Sequence, residues 1–336
     1  MDGKIITVVL MLTVAGAILV SGLVTEPHVS ETNKTGLNQS RILAEGGLKK
    51  FNTPEEISSF LKEKTGGYRR YGVKTMDMAV APMLEKAGAQ SALEYGDSAA
   101  DFSTTNIQVA GVDEADIVKN DGRYIYMLTG NTVSIVDAYP AESAKLLSQI
   151  EIRGNAQEIF INGGRLIVLG NTYEYASLDE TLEKRMSSSV APELVEPYPG
   201  RMNREYASLH IYNIENREEP VLVRSVSLDG YYFNSRMIGN YVYIIANEYP
   251  RYYEGVISVP EVSDSKGAAL KPDVYYFDES DYSYSFTTIA SVNIQSAEDP
   301  VEAKIYLLGS AQNMFVSQKN VYITYQRMMP EPVLYE

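Results

Sequence analysis

Four carboxylates stand within nine positions in VDEADIVKND: Asp113, Glu114, Asp116 and Asp121. Oxygen-rich runs of this kind suit calcium, which takes six to eight oxygen ligands. Asp113, Glu114 and Asp116 could supply part of such a shell, and calcium is the one cofactor the residues suggest. Their spacing departs from the Asp-x-Asp-x-Asp-Gly loop with its distal Glu. A second reading therefore stands beside the first: a strand entry in which Asp side chains accept backbone N–H bonds. Asp121 and Gly122 form a hairpin-turn dipeptide, so Asp121 has a structural task.

A second chemistry-bearing stretch runs from Glu248 to Tyr284. It carries Tyr249, Tyr252, Tyr253, Tyr275, Tyr276, Tyr282 and Tyr284, with eight acids against three bases. Tyrosine offers a large contact area, a polar tip and little rotamer entropy to lose, which suits recognition of a protein or glycan. Tyr275, Tyr276 and Phe277 equally suit a strand that packs the segment onto its own domain.

Other chemistries are excluded by residue type. The chain has no cysteine and no tryptophan, and its two histidines are His28 and His210. Disulfide frameworks, thiol nucleophiles and thiolate metal sites are ruled out. His210 alternates with Leu209 and Ile211 on a strand, and no Gly-x-Ser-x-Gly elbow accompanies it, so a packed or surface histidine is the reading. The formal charge of −15 over 336 residues argues against nucleic acid as a partner, because that binding needs a surplus of Lys and Arg.

The elements that must position these residues begin with an uncharged run, Ile5 to Val24. Twenty residues reach about 30 Å as a helix, enough to span a bilayer, and Val20-Ser21-Gly22 also suits signal cleavage. Residues 1–25 thus read as a signal peptide or membrane anchor, and either places the rest of the chain outside the cytoplasm. Residues 26–47 form a polar extracellular tether with the triplets Asn33-Lys34-Thr35 and Asn38-Gln39-Ser40. Residues 48–103 hold a short helix and a linker. Thr53-Pro54-Glu55-Glu56 opens the helix, and Ile57, Phe60 and Leu61 share a face.

From residue 104 the pattern turns to strands and repeats. Arg123–Met127, Arg165–Leu169, Asn240–Ile244 and Asn320–Thr324 each follow a turn, and a short apolar strand precedes each turn. A second arm recurs as Val133–Asp137, Leu209–Asn213 and Ile289–Asn293; the last two lead into NIENREEPV and NIQSAEDPV. The turns at 122, 164, 239 and 319 are spaced by 42, 75 and 80 residues. Four-stranded propeller blades take roughly 40 to 50 residues, so the second and third units carry insertions, near 172–204 and 248–284. Equivalent insertions leave one face, where such folds place their binding surface. The expected fold is an all-β propeller over 104–336, with about three and a half blades. An incomplete ring leaves an open edge at Asn320 to Tyr325, which predicts a truncated product that associates with other chains.

The stretch STTNIQVAGVDEADIVKNDGRYIYMLTGNTVSIVDAYP, with KKFNTPEEISSFLKE before it and ISVPEVSD and VYYFDESDYSYSFTTIASVNI after it, resembles a family of secreted bacterial and archaeal proteins. That family ends in a β-propeller domain distantly related to WD-repeat proteins. The resemblance covers most of the chain from about residue 48. It implies an exported or membrane-anchored propeller and supplies no catalytic residues. The functional expectation is a binding or scaffold module that recognises an extracellular protein or glycan through its insertion face. The alternative is a calcium-dependent or carboxylate-based hydrolase, with part of its site on further blades.

Overall fold

A computed structural model describes residues 5–15, 17–19, 47–64, 109–174, 204–253, 256–278, 280–281 and 283–328. The tether, most of the linker, the bulk of the first insertion and Tyr282 lie outside them.

Strands dominate, and they fall into units repeated in chain order. The first blade comprises Val118–Asn120, Tyr124–Thr129, Thr132–Asp137 and Lys145–Glu151. The second comprises Asn155–Asn162, Arg165–Glu174, Arg204–Asn213 and Val221–Asp229. The third comprises Tyr231–Ile238, Tyr241–Glu248, Tyr284–Asn293 and Glu302–Gly309. Each of the four hairpin arms expected from the sequence lies on the second strand of a sheet.

In the second and third blades both faces of the second strand are buried, because strand side chains alternate. In the second blade Leu166 and Val168 pack on the first blade with Tyr126, Leu128 and Ile135. Their neighbours Ile167 and Leu169 pack on Val242 and Ile244 of the third. Ile245, from the third blade's other face, joins Val321, Ile323 and Tyr325 of a fourth sheet. The core is thus a series of layers between blades.

The fourth sheet departs from expectation. Its hairpin, Ala311–Val316 and Asn320–Met328, is followed by Ile5–Ala15 and Ala17–Leu19 from the N-terminus. Ile5 to Thr13 pairs antiparallel with Met328 to Asn320, in the place that third strands take in the other blades. The edge predicted to lie open is therefore covered. The apolar run is extended here, and among the described residues no helix is long and apolar enough to cross a membrane. IITVVLMLTV is rich in β-branched residues, so its composition suits a strand as well as a helix, and an open edge of backbone groups decides between them.

The second insertion does not simply project. Val262–Asp264 adds a fifth strand to the second blade, and Val274–Tyr276 pairs with the third blade's last strand. The helix Pro54–Lys64 packs against this insertion, burying Ile57, Phe60 and Leu61 as its spacing predicted. Thr53 Oγ1 accepts the Glu56 N–H, and Glu56 reaches back to the Asn52 N–H at 2.9 Å. The second contact lands one residue earlier than a standard capping box.

One device stitches each blade to the next. Asn131 Oδ1 accepts the Ala156 N–H at 3.1 Å, Asn171 Oδ1 the Tyr232 N–H at 2.7 Å, and Asn247 Oδ1 the Ala311 N–H at 3.3 Å. Each asparagine lies at the end of a second strand, or in the turn after it, and clasps the first strand of the following sheet. Asn247 is fully buried and also accepts the Thr287 hydroxyl. Asn247→Leu orphans both donors at roughly 1–3 kcal/mol each, so a loss of about 2–4 kcal/mol is expected in urea unfolding. A loss well below 1 kcal/mol would show that the clasp is incidental.

Candidate functional site

The acidic run proves to be a strap across the blades. Gln318 Nε2 donates to the Ala110 carbonyl at 2.8 Å, tying the strap to the fourth sheet. Asp113 and Glu114 pair with Met237 and Arg236 of the third blade, and Asp116 exchanges two backbone bonds with Ile159 of the second. The chain then enters the first blade at Val118.

That path separates the carboxylates. Asp113 and Glu114 are consecutive on a strand, so they point to opposite sides. Asp113 takes the buried Lys119 ammonium at 2.9 Å, Glu114 meets Arg236 at 3.4 Å, and Asp116 accepts the Ile117 N–H at 2.7 Å. The calcium shell expected from these three residues is thus not assembled. Among the described residues no group of three His, Cys, Asp or Glu side chains is placed to hold a metal ion. Asp121 caps its turn through the Tyr124 N–H and takes the Tyr126 hydroxyl at 2.8 Å. Burial would raise its pKa, but these donors and Arg217 outweigh it and hold it below the usual carboxylate range.

Thermal melts in EDTA and in millimolar calcium are expected to coincide. A bound ion at a hundredfold excess over its dissociation constant would add about 2.7 kcal/mol. A calcium-dependent rise of that size, abolished in Asp113→Asn/Asp116→Asn, would contradict the strap assignment.

The tyrosines divide. Tyr276 stacks on Phe51 at 3.8 Å and meets Phe60 edge-on, while Tyr284 is buried against Phe60. Tyr275 stacks on Tyr306 at 5.8 Å. These three hold the N-terminal helix and the insertion on the third blade. The shallow pocket beside them, about 380 Å³, lies between Phe51, Phe60, Lys64, Tyr276 and Asp278. Tyr249 and Tyr252 stay 57% and 47% exposed. Tyr253 lies on the short strand Arg251–Tyr253.

Tyr249 and Tyr252 lie where both insertions leave the second and third blades, and the register gathers other groups at that end. The second blade's middle strands finish at Glu174 and Arg204, which pair. Tyr206 is bridged to Gly230, and Tyr231 pairs with Asn247 beside Glu248. Gly230 makes this crossing possible: its φ is +104°, and a Cβ there would lie 2.4 Å from the Asn247 carbonyl oxygen. Two crossed bonds follow, Tyr173 hydroxyl to Glu205 at 3.1 Å and Tyr206 hydroxyl to Glu174 at 3.0 Å.

Two carboxylates here are held off their ordinary pKa. Burial, then the Asp229 charge, pushes Glu248 up to about 7 against the pull of Arg251 and Arg204. Burial also raises Asp229, although its Oδ2 accepts the Glu261 N–H at 3.0 Å. The sequence reading missed Asp229, Glu174, Glu205 and the arginines. Their only signal was position at strand ends flanking the insertions. His210 lies apart, with Nδ1 3.0 Å from Ser225 Oγ and burial lowering its pKa.

Comparison with known proteins agrees with this architecture. The chain is 24% identical over 307 residues to an uncharacterized protein of Methanocaldococcus jannaschii, covering 90% of this chain and 41% of that one. It is 21% identical over 301 residues to an uncharacterized protein of Archaeoglobus fulgidus, covering 83% and 42%. The chain thus spans about two fifths of the length of these relatives. No solved structure matches. The model of the β-propeller domain matches residues 102–333, and the chain belongs to that family.

Proposed function

We propose that this chain is an exported or membrane-anchored binding module that engages a protein or glycan through the insertion end of its second and third blades. The observation that carries the reading is the exposure of Tyr249 and Tyr252 beside the carboxylates of Glu248 and Asp229. Aromatic faces with polar neighbours suit sugar rings and protein side chains alike. Export rests on the uncharged run Ile5 to Val24. That run cannot lie in a bilayer and pair with Asn320–Met328 at once, so membrane insertion would free the fourth sheet's edge.

A panel of immobilised polysaccharides and cell-surface extracts tests the binding reading. Tyr249→Ala/Tyr252→Ala is expected to reduce capture at least tenfold with an unchanged melting temperature. Equal capture by both proteins would overturn it. Fractionation tests the location: residues 48 onward should be open to external protease.

A second reading, a carboxylate-based hydrolase, draws support from Glu248. A carboxyl poised near neutrality beside a second carboxyl is what general acid–base chemistry requires. Its test is turnover of a chromogenic glycoside or ester panel, lost in Glu248→Gln.

A further inference from the structure

One carboxyl at the insertion end is poorly satisfied, and it is an enclosed one. Glu174 takes the Tyr206 hydroxyl, Glu205 the Tyr173 hydroxyl, and Asp229 the Glu261 N–H. Glu248 differs: its carboxyl pairs with Arg251 Nε at 3.5 Å, beyond good hydrogen-bond reach, and its side chain is 11% exposed. The charges facing it do not balance either. Arg251 from the insertion and Arg204 from the second blade's third strand attract it, but burial and the Asp229 charge from that blade's last strand outweigh them. The backbone beneath is fixed, with the Glu248 carbonyl accepting the Ser285 hydroxyl at 3.1 Å.

These deficits specify what would complete the site. A sugar hydroxyl supplies a donor but leaves the repulsion from Asp229, whereas a cation answers both. The way in is narrow. Lysine carries its charge at the tip of a slender methylene stem, while an amino sugar holds its nitrogen directly on a ring. The surroundings suit the stem as well: Tyr249 and Tyr252 are exposed, and the Tyr249 and Tyr231 rings lie 6.4 Å apart. Aromatic faces attract ammonium groups and pack methylenes. At longer range, the net charge of −15 draws in basic proteins.

We propose that a lysine side chain of a basic protein partner docks at the insertion end, with its ammonium on Glu248 and its stem along Tyr249. This rests on the binding-module reading and names the chemistry of the partner. The bound ammonium favours the ionised carboxyl, so docking at neutral pH releases the Glu248 proton to solvent.

Calorimetric titration of the full chain with an alternating glycine–lysine peptide, run in phosphate and in Tris, reads affinity and proton release together. The expected result is binding with release of roughly half a proton at pH 7, fading at higher pH as Glu248 ionises beforehand. Glu248→Gln should weaken binding roughly tenfold and abolish the release, with an unchanged circular dichroism spectrum. Glu142→Gln/Glu151→Gln, on exposed residues of the first blade, removes more charge and should change neither. The same peptide with glutamine in place of lysine should not bind. No binding of the lysine peptide overturns the proposal, as does equal binding by Glu248→Gln, or equal weakening in Glu142→Gln/Glu151→Gln. Stronger binding of a glucosamine oligomer than of the peptide overturns it too. If a neutral polysaccharide is captured through Tyr249 and Tyr252 without any response to the lysine peptide, this proposal fails and the binding-module reading stands. That reading fails by its own test, capture unchanged in Tyr249→Ala/Tyr252→Ala.

Discussion

Arg224→Met is expected to destabilise the protein by about 3–5 kcal/mol, the penalty for removing one partner of a buried ion pair. Arg224 is among the largest fully buried side chains. Its guanidinium holds Asp264 through Nε at 3.2 Å and Nη2 at 2.7 Å, and donates to the carbonyls of Ser296 at 3.1 Å and Asp299 at 2.8 Å. Three parts of the molecule meet on this side chain. It sits on the second blade's last strand, Asp264 belongs to the insertion strand that widens that blade, and Ser296 to Asp299 form the turn of NIQSAEDPV on the third. Burial raises the Asp264 pKa, but Arg224 and the Lys266 N–H more than offset this and hold it low. Methionine fills the volume but orphans a carboxylate and two carbonyls.

Asp264→Asn gives the companion measurement. It keeps an acceptor for Nε while removing the countercharge, so a smaller loss is expected. Urea unfolding with both variants and their combination yields the coupling energy, which should exceed 1 kcal/mol for a contact this close. Full additivity would mean that Arg224 acts through the Ser296 and Asp299 carbonyls and not through Asp264.

How far the amino-acid order foretold this molecule depends on distance along the chain. The hairpins were legible because their determinants are local. Asp121-Gly122 and Gly163-Gly164 make turns, and the flanking apolar residues alternate or run continuously, as strands buried on both faces do. The Asn171 and Asn247 clasps were not legible. Each asparagine reads as a polar break in an apolar strand, and the donor it satisfies lies more than sixty residues away. The same limit applied to Asp113, Glu114 and Asp116. Their sequence adjacency suggested convergence, yet an extended strap across successive blades sends each to a different partner.

The tyrosines show the limit from the other side. Composition marked the segment from 248 to 284 as a recognition surface, and the alternating strand Val274–Tyr276 marked part of it as core. Burial against Phe51 and Phe60 sorts them: Tyr276 and Tyr284 pack inward, while Tyr249 and Tyr252 stay exposed. The N-terminal run was ambiguous for a related reason. Periodicity cannot separate an apolar strand from an apolar helix, and in this structure the unpaired backbone of Asn320–Met328 makes the choice.

Stability is expected to fall by about 3 kcal/mol as pH rises from 4.5 to 7.5, and Glu248→Gln is expected to remove most of that dependence. Glu248 holds its proton up to about 7 in the folded protein, against 4.5 for the ordinary side chain. The folded state therefore binds the proton more tightly than the unfolded state does. Stability is greatest below the unfolded value and declines through the window between the two, at about 1.4 kcal/mol per pH unit. Burial is the main cause and the Asp229 charge the second, so neither salt nor a distant substitution should erase the effect. Asp229 is raised as well and acts in the same direction.

In Glu248→Gln nothing titrates at this position. Its melting temperature should stay nearly level across the window and exceed that of the parent above pH 7, even though the contact with Arg251 loses its charge. A parent curve that is flat from pH 5 to 8 would overturn the assignment. Stabilising substitutions are common and often neutral, and they cost activity where a strained or buried charged group serves the site. If Glu248 serves ligand capture or proton transfer at the insertion end, the stabilised variant should also be the one that no longer binds or turns over.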